Sequence, residues 1–520
     1  MLETALQYHN HTSYDPKEMS GHGLDWANQP NVYKEYPGIE PIQLSLEVLN
    51  SPSPSPLPQG GEGLKRKGVL PRKLASVLKD DAVSEIGSDS LNIDDLSLLL
   101  RLTNTLTAKS SHPGGDFYYR SAASAGALYP TEIYVATHGV KALDDGLYHF
   151  AIHRHALFPL RKGDFSNYVT AHVAHMGNKI PVITVFLTAI FFRSAWKYRE
   201  RSYRYHLLDT GHVMENLTLA LKALHLPFRL SYDFDDDPIN HLLGLNETKE
   251  ITLAMACITT IDGIHQPTKQ NLDKLTETFR KASNTAKKEI DYPAVREIHL
   301  AGTPFLAQKG AMPDMGKEIG LATNSWIKIS PSLNWSEILE YPDAMFNRRS
   351  QRHYAKNPMS KDSFIALLDT LLSKDFQGSD MVSSYEQSVG TGFIVNDIEG
   401  FSRGLYLLNR SDQSIGLVSS DVLTSQMARI CLGQSWLTNA SVHFLFMSNL
   451  DLLDQARGPR GYRYAMMTAG RWGERLYVAS TAMGLGCCGI GAFYDMHAAQ
   501  TIGLNGASWL LYLVAVGTIR

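Results

Sequence analysis

The sequence predicts two equal domains in one chain, each mixing buried strands with long helices, packed on each other as the halves of a symmetric dimer would be. Three observations carry this. First, the chain repeats itself. With residue i set against i+259, residues 203–258 lie on 462–517 without a gap and share 15 identities in 56 positions, where about three or four would follow from ordinary residue frequencies. Tyr203-Arg204-Tyr205 falls on Tyr462-Arg463-Tyr464, Gly211 on Gly470, Glu215 on Glu474 and Asp236 on Asp495. Second, both strand-like apolar runs and helical apolar spacing occur, the clearest being a β-branched run at 180–192 and a helical face at 210–226. Third, the two copies carry different polar motifs, as two half-sites would if one interface kept a function and the other lost it.

The elements follow in order. Residues 1–50 read as an extended, aromatic-dotted arm; His9 and His11 have no acidic or cysteine partner at ligand spacing, so no metal is expected there. Residues 51–73 form a low-complexity insert, with Ser-Pro alternation, Gly60-Gly61 and the basic run Lys65-Arg66-Lys67. The first domain spans 74–262. It holds a helix over 91–106, a small-residue loop at 121–130, the strand start Ile133-Tyr134-Val135 and a turn at Asp144-Asp145-Gly146. A strand over 147–157, the buried strand 180–192, a helix from Thr210 to Leu226 stopped by Pro227 and a last strand over 250–260 complete it. Residues 263–300 read as a charged linker with some helix, and 301–520 as the second domain.

Composition removes several function classes. At 520 residues with 44% hydrophobic and 10% aromatic residues, the chain can bury large cores, and a net charge of −3 argues against nucleic acid as the main partner. The four cysteines, Cys257, Cys431, Cys487 and Cys488, have neither disulfide-framework nor zinc spacing. With a polar start over 1–13 and no apolar run long enough for a bilayer, a soluble protein in a reducing, cytoplasmic setting is expected, with no membrane partner.

The chemistry is divided between the halves. In the first, Ser124-Ala125-Gly126-Ala127 precedes Leu128-Tyr129-Pro130; such a loop is either a tight turn before a core strand or a cradle that lets backbone approach a flat or phosphorylated ligand. The same half has Lys197-Tyr198, a charge and a phenol just after a strand. The second half has Arg348, Arg349, Ser350 and Arg352, donors suited to a phosphate monoester or else a solvated basic patch. It also has Gly484-Leu485-Gly486-Cys487-Cys488-Gly489-Ile490-Gly491-Ala492, bare backbone able to lie against a ring system. Each motif is missing from the opposite copy, where Ser388-Val389-Gly390-Thr391, Ala456-Arg457 and Phe228-Arg229-Leu230-Ser231 stand instead.

Taken together, Ser-Ala-Gly-Ala-Leu-Tyr-Pro-x-Glu-Ile-Tyr, Lys-Tyr followed by Tyr-Arg-Tyr-x-x-Leu-Asp-x-Gly-His, and Gly-Leu-Gly-x-x-x-Ile-Gly-Ala-Phe resemble the nitroreductase-fold flavoproteins of the SagB type, which include the azoline oxidases of thiazole/oxazole peptide biosynthesis. The resemblance covers residues 1–50 and 74–520. It implies an α+β fold, here as tandem nitroreductase-like domains, each a mainly antiparallel sheet flanked by helices, forming an intrachain pseudo-dimer with FMN at the domain interface. It implies that Arg348, Arg349, Ser350 and Arg352 hold the FMN phosphate, with the terminal Arg520 as a further contact. Ile490, Gly491 and Ala492 would face the isoalloxazine, while Ser124, Ala125, Gly126 and Ala127 reach it from the other half. Lys197 and Tyr198 would handle the proton while a hydride passes to flavin N5. The implied activity is dehydrogenation of a small-molecule or peptide substrate, of the azoline-to-azole kind. The alternatives are an NAD(P)H-dependent nitro or quinone reductase and a catalytically degenerate scaffold of a modifying complex. A further homodimer of the pseudo-dimer stays open.

Overall fold

The structure, a computed structural model, describes residues 2–19, 21, 23–46, 72–79, 91–112, 115–174, 176, 179–259, 272–303, 311–330, 335–373 and 380–519. The expected insert lies almost wholly outside them, as does Arg520. In chain order the strands are β1 (Ile42–Gln43), β2 (Leu106–His112), β3 (Gly115–Arg120), β4 (Thr131–Thr137), β5 (Gly146–Ala151), β6 (Ala156–Lys162), β7 (Pro181–Ile190), β8 (Phe228–Ser231) and β9 (Glu250–Thr259). The second half adds β10 (Ile327–Lys328), β11 (Gly390–Val395), β12 (Gly404–Asn409), β13 (Ser414–Ser419), β14 (Val442–Asn449), β15 (Leu485–Ile490) and β16 (Ser508–Thr518). They build two seven-stranded sheets, β1-β6-β5-β4-β7-β9-β8 and β10-β13-β12-β11-β14-β16-β15, antiparallel throughout and identical in order once the halves are aligned. The α+β pseudo-dimer is therefore as the sequence implied. β2 and β3 form a separate hairpin that leads into the small-residue loop.

Each half contributes one long helix to the centre of the molecule, Ser202–Ala223 and Arg460–Ala482. The sequence showed only the second two-thirds of the first helix, because it has no polar face: all 22 of its residues are buried. A helix without a wet side gives no amphipathic period to read. The two helices meet at their matched glycines. A Cβ on Gly211 would stand 2.3 Å from the Met467 carbonyl oxygen, and one on Gly470 2.3 Å from that of Leu208. No side chain fits at that crossing.

The repeated Arg-x-x-Arg and Asp positions close the interface twice. Arg201 and Arg204 hold Asp495 of the other half at 2.7 and 2.6 Å, and Arg460 and Arg463 hold Asp236 at 2.5 and 2.6 Å. Burial alone would raise both carboxyls, but the paired guanidiniums outweigh it and hold them below the usual carboxylate range. The arm takes part. Helix Ala5–His11 puts His9 Nδ1 3.0 Å from the Tyr462 hydroxyl, with Arg204 donating to its other nitrogen at 3.3 Å. Burial pushes His9 down to about 3, so it is a neutral core histidine. The segment expected as linker carries helix Pro293–Ala301, and there His299 meets Tyr203 at 3.2 Å and faces Asp236 as His9 faces Asp495. The duplication thus extends to the arms, which the sequence comparison did not reach.

Two more expectations change: the arm read as extended carries the helix Ala5–His11, and one strand divides. The strand expected over 147–157 is two strands, β5 and β6, with the chain reversing between Ala151 and Ala156. His155 supplies the left-handed residue at φ 45°, a place glycine or asparagine usually marks, so the turn left no compositional sign.

Candidate active site

The small-residue loop is a strained structure pinned from three sides. Ala125–Ala127 form a single 3₁₀ turn in which Gly126 has φ 65°, and the non-glycine residues Ala127 and Tyr129 follow at φ 54° and 47°. Such conformations cost of order 1–3 kcal/mol each and persist where the surroundings impose them. Here Asp209, on the first long helix, imposes them: it accepts from the Ser124 hydroxyl at 2.6 Å and from the Ala125 N–H at 3.1 Å. Ser124 Oγ in turn accepts from the Tyr129 N–H at 2.9 Å, and Arg193 donates to the Tyr129 carbonyl at 3.0 Å. From the second half, Arg348 Nε donates to the Ser121 carbonyl at 2.6 Å and its Nη2 to that of Arg120 at 3.1 Å.

Lys197 and Tyr198 end the helix Phe191–Tyr198 that follows β7, directly against this loop. A Cβ on Gly126 would lie 2.8 Å from the Tyr198 hydroxyl and 3.2 Å from Lys197 Nζ, so glycine there is what lets the pair approach. Lys197 Nζ sits 5.4 Å from the centre of the Tyr198 ring. Burial, with the Asp209 carboxylate nearby, pushes the Tyr198 phenol above its ordinary value. Asp209 itself is raised by burial to about 6, against the pull of its two hydrogen bonds. Tyr198 packs against Tyr205 with ring centres 4.2 Å apart and planes tilted by 41°, and the Tyr205 hydroxyl donates to the Gly491 carbonyl at 3.2 Å. Arg201 donates to the same carbonyl at 3.0 Å. The loop, the Lys-Tyr pair and the glycine-rich segment therefore converge at one end of the domain interface.

The arginine motif divides. The guanidiniums of Arg348 and Arg349 are turned to backbone carbonyls, the latter to Phe346, Arg348 and Thr107, so that both rivet the hairpin and loop to the second half. Ser350 shares a 2.9 Å hydrogen bond with the Tyr477 hydroxyl, which also accepts from the Gly489 N–H at 2.7 Å. Arg352 is exposed, and its charge acts on both Cys488 and Tyr198. Ser350 and Arg352 thus stand on the same strand edge as the glycine segment, at the water-facing side of the convergence. Ile490 is buried in the second sheet opposite Leu513, while Gly491 and Ala492 are half-buried. A buried pair connects the helices behind them: His212 Nδ1 lies 2.5 Å from Glu474, and its Nε2 3.1 Å from the Tyr512 hydroxyl.

Sequence reasoning passed over Asp209. The signal was present: it is the acidic residue of the Tyr-Arg-Tyr-x-x-Leu-Asp motif, and its counterpart in the other copy is Thr468.

Two sheet-and-helix domains clasped about central helices, with strained loop, lysine and bare strand meeting between them, define a class of two-half α+β proteins. Residues 88–257 and 345–518 each match the nitroreductase family, and the chain belongs to that family, carrying its fold in tandem. It is a nitroreductase-family oxidoreductase. A Methanocaldococcus jannaschii protein that carries the nitroreductase name is 26% identical over 184 residues, covering 35% of this chain and 92% of that protein. The trifolitoxin-processing protein of Rhizobium leguminosarum bv. trifolii is 28% identical over 165 residues, 30% of this chain but only 44% of that protein. Among solved structures, an Anabaena variabilis protein with the nitroreductase name is 25% identical, each chain covering 100% of the other, with a TM-score of 0.74.

Proposed function

We propose that this chain is an FMN-dependent oxidoreductase of the SagB type, with one flavin at the interface end where the loop 124–127 meets Gly491, and that it dehydrogenates a peptide or a small molecule. The observation that carries the reading is the asymmetry of the two interface ends: one brings loop, Lys-Tyr pair and bare strand together, and the other is filled by side chains. The donor set suits a phosphorylated planar cofactor. Ser350 and the exposed Arg352 offer a hydroxyl and a guanidinium to a phosphate, Arg348 and Arg349 hold the surrounding backbone, and Gly126 and Gly491 leave backbone bare on two sides. When bound, FMN would supply the hydride-accepting centre.

The chain's own groups then do the rest. A phenol pushed up by burial stays protonated across the neutral range, so Tyr198 keeps its proton and offers it only as a hydrogen bond, while Lys197 Nζ beside Gly126 is the group that takes a proton from substrate carbon. Tyr205 and Arg201 fix the Gly491 carbonyl, which keeps the strand from shifting under the ligand. The similarity to the trifolitoxin-processing protein favours a peptide substrate. Purified protein should carry close to one FMN per chain, and Arg352→Ala with Ser350→Ala should remove it while the protein stays folded; two equivalents per chain would overturn the single-site reading. The nitroreductase-named relatives favour a second reading, NAD(P)H-dependent reduction. Anaerobic mixing with NADPH separates them: rapid bleaching of the flavin band supports the reductase, and its absence, with activity lost in Lys197→Ala, supports the dehydrogenase.

A further inference from the structure

Because the two halves correspond element by element, each residue near the candidate site has a counterpart where no such site is built. Trp26 opens a 3₁₀ turn, Trp26–Asn28, and is 66% exposed. The matching turn of the second arm is Met315–Lys317, preceded by Asp314 as Trp26 is by Asp25, and there Met315 is fully buried. Trp26 meets Trp196, and the cluster to which Trp196 belongs shows the same contrast. Leu128, Phe192 and Trp196 form an apolar cluster against Tyr198, and the residues 259 further along are Gln387, Asp451 and Gln455. The aromatic and aliphatic character is therefore confined to the half that carries Lys197 and Tyr198.

A single exposed apolar residue is ordinary, but Trp26 is held in place while exposed. Trp196 Nε1 donates to the Asp25 carbonyl at 2.9 Å, Asn28 Nδ2 to the Asp25 carboxylate at 2.7 Å, and the two indoles meet edge to face at 5.2 Å. The turn is anchored further by the Asn31 N–H on the Thr285 carbonyl at 2.7 Å. The turn that carries the ring is fixed in this way, so a ligand that stacks on the indole need not order the backbone beneath it. Trp196 is the residue before Lys197 on the same helix, and Leu128 directly follows the loop 124–127, so the indole pair borders the proposed reaction centre.

We propose that Trp26, backed by the buried Trp196, is a wall that stacks an aromatic or heteroaromatic ring of the substrate beside Lys197 and Tyr198, which makes Trp26 a specificity-determining residue. The proposal rests on the reading of Lys197–Tyr198 as the reaction centre. It is tested by calorimetric titration of the full chain with two N-acetylated tripeptide amides, one with phenylalanine at its centre and one with alanine. The wild-type protein should bind the phenylalanine peptide about three- to tenfold more tightly, the range expected for one aromatic contact. Trp26→Ala should abolish that preference without weakening the alanine peptide, and Trp26→Phe should restore most of it. A wild type that does not discriminate, or a Trp26→Ala protein that still does, overturns the proposal. Visible absorbance of the same samples reads the flavin separately: colourless protein that still selects the phenylalanine peptide through Trp26 keeps the wall and removes the FMN assignment.

Discussion

The two ends of the domain interface began as copies of one site and now do opposite things. At one end, Gly491 and Ala492 stand beside Tyr205, the loop 124–127 lies across from them, and Lys197 and Tyr198 face Gly126. At the other, the matched positions are Tyr232 and Asp233 beside Tyr464, and helix Asp380–Gln387 occupies the place of the loop. The Tyr385 hydroxyl from that helix accepts from the Tyr232 N–H at 3.1 Å and donates to Asp233 at 2.9 Å, and Tyr464 also donates to Asp233. Tyr232 and Tyr385 pack with ring centres 4.3 Å apart and planes tilted by 32°. Two glycine-scale positions became a tyrosine and an aspartate, and a loop became a helix. That closed end is a packed polar core. The lesson is that a fused pair of domains need not keep its two interface ends alike, and one of them here is closed by buried hydrogen bonds.

The clamps, which both ends retain, should show the largest effects. Asp495→Ala and Asp236→Ala each leave two buried guanidiniums without their carboxylate, a loss of about 3–5 kcal/mol of unfolding free energy by denaturant titration. Only Asp495→Ala should also lower flavin content, because Arg201 reaches both Asp495 and Gly491; equal flavin loss in both variants would break the comparison. Each carboxyl is held below its unfolded value, so its contribution is complete above about pH 4 and is lost as pH falls further.

Asp209 belongs to the open end alone and has the opposite sign. Its folded value of about 6 lies above the ordinary 3.8, so the folded protein binds this proton more tightly than the unfolded chain. Its contribution to stability is full below pH 3.8, declines by up to about 3 kcal/mol between pH 3.8 and 6, and is level above. Asp209→Asn should remove that slope, measured as the difference between wild-type and variant urea midpoints from pH 4 to 7. A constant difference across that range would contradict the assignment.

At the closed end, Tyr385→Phe leaves the Tyr232 N–H and one Asp233 oxygen short of a partner, which should cost about 1–3 kcal/mol with flavin content unchanged. A fall in flavin content would mean that the closed end contributes to the site. The smallest effect should be that of Trp26→Ala on stability, within about 0.5 kcal/mol, since its ring is mostly in water.

The duplication, the strands β7 and β9 and the division of polar motifs were legible in the sequence, because repetition and continuous apolar, β-branched runs survive in the order of residues, and the α+β class followed from the resemblance of the motifs. The loop 124–127 and Lys197–Tyr198 were legible as candidates for the same reason: they are motifs that one copy has and the other lacks. Tertiary structure alone decided the rest. It set the guanidiniums of Arg348 and Arg349 on backbone carbonyl oxygens, since which acceptor a guanidinium satisfies depends on what the fold places before it. It paired Asp236 and Asp495 with arginines more than two hundred residues away, and it set Asp209 under the loop. Local order along a chain records which residues are small, apolar or charged; which of them meet across an interface is set only when two helices close on Gly211 and Gly470.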